Sequence, residues 1–224
     1  MANNITKPTL LKTGGSLSRA IANDQQAKAG VSMPIETLMI CIDCSGSMRG
    51  ETPGAQTMLH GAIDAAGMLA SASISTARVG AVAFTEEADE AVDPLTPRGL
   101  LKEKLRGFHR HEGGTVFYPA VASAANALLR VGIPGTLRRI IFMSDGEDMP
   151  ENKQSLVKEV DRCVENKLII DTVAFGDGAG HALLRWMSER TGGVFKEAKD
   201  AHELRKVFLA LEAGVRGLLP GMRK

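Results

Sequence analysis

The run Thr37-Leu38-Met39-Ile40-Cys41-Ile42, followed by Asp43-Cys44-Ser45-Gly46-Ser47, decides how this chain folds. An apolar run of this length with no polar alternation predicts a strand covered on both faces, as in parallel sheets. A carboxylate and two hydroxyls then emerge together at its carboxyl end. In such sheets the ligand crevice lies beyond the carboxyl ends of the strands, so this segment is a candidate site. Asp and Ser oxygens are hard ligands suited to Mg²⁺ or Mn²⁺.

Around this segment, apolar strand-like runs alternate with helical patterns, the signature of a mostly parallel sheet between helices. The runs are Glu36 to Asp43, Arg78 to Phe84, a short piece near Glu90 to Val92, Arg138 to Ser144, Leu168 to Phe175, and Val194 to Lys196. Val121, Ala124, Ala125, Leu128 and Leu129 repeat at helical spacing, as do Leu156, Val157, Val160, Cys163 and Val164, and these predict crossover helices. The spacing predicts a helix over about Pro53 to Ser73, a short one through Leu183, Leu184 and Met187, and a last one from Asp200, as N-cap, to about Arg216. Residues before about Ser32 are polar, with a weak helical pattern through Leu17 and Ile21, and read as an extension.

At 224 residues the chain has room for one α/β domain with a full core. A formal charge of +1 gives no long-range attraction to nucleic acid or anionic membrane, so neither is an expected partner. No segment approaches the roughly 18 uninterrupted apolar residues of a membrane span, and the first residues lack the apolar core of a secretory signal. A cytoplasmic location is expected. Three cysteines without zinc-type spacing agree: Cys41 in a strand, Cys163 on a helix and Cys44 at the site read as reduced thiols.

Two further segments belong with the opening motif: His111-Glu112-Gly113-Gly114-Thr115 ahead of a helix, and Ile140-Ile141-Phe142-Met143-Ser144-Asp145-Gly146-Glu147-Asp148 at a strand end. If their strands are neighbours, Asp43 and Asp145 flank the reversal point of a doubly wound sheet. Here the sequence resembles the von Willebrand factor A domain family, whose metal-ion-dependent adhesion site combines D-x-S-x-S, a separate Thr and a separate Asp. Asp43, Ser45, Ser47, Thr115 and Asp145 fill all of these positions. The likeness extends through Val79 to Phe84 and Thr191 to Phe195, and covers about Pro34 to Gly217.

The resemblance implies a doubly wound, Rossmann-like α/β sandwich with a six-stranded sheet in the order 3-2-1-4-5-6. Strand 3 would be short and antiparallel, and helices would cover both faces. It divides the chain into an extension at 1–33, the domain at 34–217 and a tail at 218–224. It also implies Mg²⁺ or Mn²⁺ on the five residues, completed by an Asp or Glu of a partner protein. Stand-alone intracellular members resemble bacterial adaptors that work beside AAA+ ATPases of the MoxR kind, or beside kinase and phosphatase modules of stress and defence systems.

Alternatives can be weighed on the same residues. Haloacid-dehalogenase-like phosphatases, which are Mg²⁺-dependent phosphohydrolases, carry D-x-D, and Ser45 stands where their second Asp acts as general acid; an unperturbed hydroxyl replaces it poorly. A serine hydrolase is disfavoured because the motif is not G-x-S-x-G. A scaffold with metal-independent contacts fits all of the above. His109 and His111 read as a solvated or partner-facing loop, Glu147 and Asp148 as a solvated turn, and Arg130, Arg138 and Arg139 as solvated strand ends. Gly176 to Gly180 lacks the lysine of a phosphate loop, and Trp186 reads either as a partly exposed partner contact or as packed against the last helix.

Overall fold

The computed structural model describes residues 36–73, 77–107, 113–177 and 180–218. By its contacts the chain divides into two compact units, Met1–Met33 and Pro34–Lys224, and the described residues fall in the second. That unit is built on a sheet of six strands: β1 (Glu36–Asp43), β2 (Arg78–Phe84), β3 (Ala88–Val92), β4 (Leu137–Ser144), β5 (Ile169–Phe175) and β6 (Phe195–Ala198). Their order is β3-β2-β1-β4-β5-β6. All neighbours are parallel except β2 and β3, which form an antiparallel edge. The chain therefore reverses its direction of travel across the sheet between β1 and β4.

Every residue of β1 is buried, which explains its unbroken apolar sequence. Leu38, Ile40 and Ile42 join one core, under helices α1 (Met58–Ala72), α2 (Leu101–Arg106) and α6 (Ala201–Leu218). Met39 and Cys41 join the other, under α3 (Phe117–Val131), α4 (Lys153–Glu165) and α5 (His181–Thr191). In that second core Phe84, Phe117 and Phe142 pack as a cluster, with the Phe117 and Phe142 ring centres 4.8 Å apart. Small residues set the α1–α6 distance. A Cβ on Gly61 would lie 2.7 Å from Ala201 Cβ, so a larger residue there would push the two helices apart.

The strands follow the sequence expectation closely, but several local readings are corrected. The helix expected from Pro53 begins at Met58, because Gly54 adopts φ +89 and Thr57 caps α1 by accepting from the His60 amide at 3.2 Å. The last strand lies at Phe195–Ala198 rather than Val194 to Lys196, and α2 was not anticipated, its six residues being too few to show a period. Asp200 does start α6, its Oδ1 accepting from the amides of His202 and Glu203 at 2.8 and 2.9 Å. Trp186 is half-buried and packs against the second core rather than against the last helix. The proposed extension and the His109–His111 pair lie outside the described residues.

Arg139 is not a solvated strand end. It is buried at 3% exposure on the α6 side of the sheet, with Nε 3.1 Å from Asp171 Oδ2 and Nη1 3.7 Å from Glu36 Oε1. Glu212 of α6 is buried nearby and contributes to the same field. The expectation failed because a carboxylate that starts β1 and another inside β5 converge on the arginine only after the sheet assembles.

Candidate functional site

The site residues sit at the carboxyl ends of β1 and β4, on either side of the reversal point. Asp43 closes β1 and is fully buried; its Oδ1 accepts from the Ser45 amide at 2.8 Å and its Oδ2 from Ser144 Oγ at 2.6 Å. After Asp43 the chain turns into a short 3-10 helix, Gly46–Arg49. This brings Ser45 Oγ and Ser47 Oγ within 3.1 Å of each other, and Ser47 Oγ donates to Asp145 Oδ1 at 2.9 Å. Asp145 follows β4 directly and is 8% exposed.

Thr115 reaches the same place on a separately anchored loop. The Gly114 amide donates to Glu86 Oε1 at 2.9 Å and the Val116 amide to the Thr85 carbonyl at 2.9 Å, tying the loop to the end of β2. From the other side the Met149 amide donates to the Thr115 carbonyl at 3.2 Å, and Asp148 Oδ1 caps α3 by accepting from the Phe117 amide at 2.8 Å. A Cβ on Gly146 would lie 3.4 Å from Thr115 Oγ1, so the threonine hydroxyl lies against the residue that follows Asp145. All five residues expected from sequence are thus brought together.

Burial pushes the Asp43 carboxyl up to about 6, against the hydrogen bonds from Ser144 and Ser45 that favour its anion, while the Asp145 charge adds to the rise. Burial likewise raises Asp145, opposed by the Ser47 hydroxyl. Two desolvated carboxylates facing three neutral hydroxyls form an all-oxygen donor set with excess negative charge. Such a set suits a hard divalent cation and offers no soft ligand to a copper or cluster site.

Three supporting residues escaped the sequence reading. Ser144 occupies the last position of β4 beside the last position of β1, and the signal was its place directly before Asp145. Glu86 follows the end of β2, and Asp148 acts as a helix cap rather than as a solvated turn. Cys44 belongs to the site through its backbone only; its side chain is 3% exposed and packs in the core under α1. Its thiol is pushed up to about 12 by burial.

Fold and site together define a doubly wound α/β domain with an all-oxygen cluster at its switch point. Residues 38–147 match the von Willebrand factor type A domain, a kind that generally mediates protein–protein interactions. Among solved structures, the chain is similar to a von Willebrand factor type A protein from Catenulispora acidiphila, with 23% identity and a TM-score of 0.69 over 81% of this chain and 42% of that one. It is also similar to an aerotolerance-related membrane protein from Bacteroides fragilis, at 16% identity and TM-score 0.65, over 80% of this chain and 99% of that one. A third is proximal thread matrix protein 1 of the mussel byssus, with zinc in its metal-ion-dependent adhesion motif, at 12% identity and TM-score 0.61, over 85% of this chain and 50% of that one. At these identities the likeness establishes the fold. No curated protein sequence matches. Among the described residues no helix is long and apolar enough to cross a membrane.

Proposed function

We propose that this chain is a non-enzymatic, cytoplasmic, bacterial interaction module that binds an acidic group of a partner protein through Mg²⁺ or Mn²⁺. Asp43, Ser45, Ser47, Thr115 and Asp145 would hold the cation. The module would serve as an adaptor beside an AAA+ ATPase of the MoxR kind, or beside a kinase or phosphatase stress or defence system. The observation that carries the reading is the convergence of two buried carboxylates and three hydroxyls from three separate loops at the switch point of the sheet. Zinc in the corresponding motif of the byssus protein supports the same use of the fold.

When bound, a hard cation on few charged ligands keeps exchangeable positions open to an outside carboxylate. The chain's own residues do the rest. Ser144 and the Ser45 amide orient Asp43, Ser47 orients Asp145, and Glu86 holds the backbone of the Thr115 loop. Ser45, placed two residues after Asp43, lacks the acidity to protonate a leaving group, which favours binding over phosphoryl transfer.

The test has two parts. Titration calorimetry should detect Mg²⁺ or Mn²⁺ binding to the full chain, lost in Asp43→Ala and Asp145→Ala while both variants keep the wild-type circular dichroism. Partners captured from the native cells should then depend on Mg²⁺ and be lost with chelator, Ser45→Ala or Thr115→Ala. Capture unaffected by chelator would give the contacts to a metal-independent scaffold surface. Turnover of p-nitrophenyl phosphate with Mg²⁺ would refute the non-enzymatic reading.

A further inference from the structure

A groove of about 610 Å³ opens beside the candidate metal site, between the start of α4 and the start of α5. Its walls are Asp148 and Met149 from the loop that carries Asp145, Lys153 and Val157 from α4, and Leu183 and Trp186 from α5. The volume lies in the range of ligand pockets, roughly 300–1,000 Å³. The lining is chiefly apolar, and Met149, Val157, Leu183 and Trp186 are each only half-buried. Half-buried tryptophan beside aliphatic walls is the composition of an interaction hot spot rather than of an ordinary solvated face.

The groove is continuous with the candidate site through covalent and hydrogen-bonded links. Met149 holds the Thr115 carbonyl through its amide, and its Cε would collide with a Cβ on Gly114, at 2.1 Å. On the α5 side the Gly180 amide donates to the Gly146 carbonyl at 3.1 Å. Asp145 and Asp148 are three residues apart in sequence, so their Cα atoms can be separated by at most roughly 11 Å. A bound chain could span that distance in roughly two to four residues.

We propose that this groove receives a large apolar side chain of the partner segment whose acidic residue reaches the metal site, so that the recognised element is an Asp or Glu with a bulky apolar residue two to four positions away. The assignment rests on the metal-site reading of the preceding section. Charge favours it over a purely apolar occupant. Lys153 is exposed at the rim and has no ion pair among the described residues, so it and a cation at the cluster would both attract carboxylates. Glu147 and Glu151 are exposed on the adjoining loop and turn, and a basic residue flanking the partner's acidic group would meet them there.

The experiment selects short random peptides with a fixed central Glu on the immobilised full chain in Mg²⁺, and measures the enriched peptides by fluorescence polarisation. Enrichment of Leu, Ile, Phe or Trp two to four positions from the Glu is expected. Binding should weaken by about tenfold or more in Ala182→Glu, which places a charge in the groove mouth from an exposed position that the core does not need. That variant should keep wild-type Mg²⁺ binding. The fluorescence of Trp186, the chain's one tryptophan, should shift to the blue with Trp-free peptides.

Enriched peptides that need Mg²⁺ but show no apolar preference, or that bind Ala182→Glu as well as wild type, would overturn the groove while leaving the metal site standing. Peptides with the apolar preference that still bind in chelator, and fail on Ala182→Glu, would support the groove and refute the metal reading. Failure to enrich any peptide would overturn the groove as a peptide site. Self-association of the chain that Ala182→Glu abolishes would give it to a second copy and also overturn the assignment.

Discussion

Glu36→Gln should stabilise this protein at pH 8 and flatten its response to pH. Glu36 opens β1 fully buried, and among the described residues neither of its carboxylate oxygens has a hydrogen-bond partner. Burial raises its pKa from the ordinary 4.5 to about 7; Arg139 pulls the other way, and Glu212 and Asp171 push it further up. The folded protein therefore holds this proton more tightly than the unfolded chain does. Stability from this group is complete below about pH 4.5, falls as pH rises to about 7 and is flat beyond. At roughly 1.4 kcal/mol per pH unit, the loss between those limits is about 3 kcal/mol. An uncharged glutamine avoids the desolvation cost of the anion but keeps the volume. Urea unfolding of wild type and Glu36→Gln in chelator, at intervals from about pH 5 to 8, measures the difference directly. Wild type should lose stability along this series while the variant loses less, so that the two curves diverge towards high pH. Parallel curves would refute the reasoning and mean that Glu36 is fully compensated in the folded protein.

Asp43 should show the same sign at the other end of β1. With its carboxyl raised to about 6, the metal-free protein should be more stable at pH 5 than at pH 8, and Asp43→Asn should reduce that difference and abolish any rise in Tm on adding Mg²⁺. A Tm rise retained by the variant would count against Asp43 as a ligand. Gly193→Ala should cost about 1–3 kcal/mol in urea unfolding, because its Cβ would lie 2.1 Å from the Ile170 carbonyl oxygen; a neutral effect would show that the β5–β6 connection yields easily. Cys41, Cys44 and Cys163 are buried, with thiol pKa values raised by that burial, so none should react with Ellman's reagent at pH 8 until the protein is unfolded. Rapid reaction of one thiol in the native protein would show that its element opens.

Much of this arrangement could be read from the chain because its signals are local. A strand covered on both faces needs an unbroken apolar run, so β1 and β4 announce themselves, and the oxygen ligands follow directly at their ends. What escaped depended on partners distant in sequence. Arg139 looks like a solvated strand end until Glu36 and Asp171 are brought beside it. Asp148 looks like a turn residue until the Phe117 amide arrives, and the side chain of Cys44 could not be assigned to core or site without the helix that covers it. The start of α1 was misplaced because Pro53 is compatible with a first helical turn, whereas Gly54 and Thr57 fix the actual entry.

β1 carries a buried carboxylate at each end, with little between them but interchangeable apolar residues. Sliding the strand by two positions would keep Leu38, Ile40 and Ile42 on one face and Met39 and Cys41 on the other, so packing alone distinguishes such misalignments weakly. The same slide would carry Asp43 away from Ser144 and Glu36 away from Arg139, leaving two anions stranded in the interior. The charged ends therefore act as a gauge for strand alignment. A chain that pairs β1 correctly with β4 assembles the oxygen cluster in the same event, which makes a functional site a by-product of correct folding.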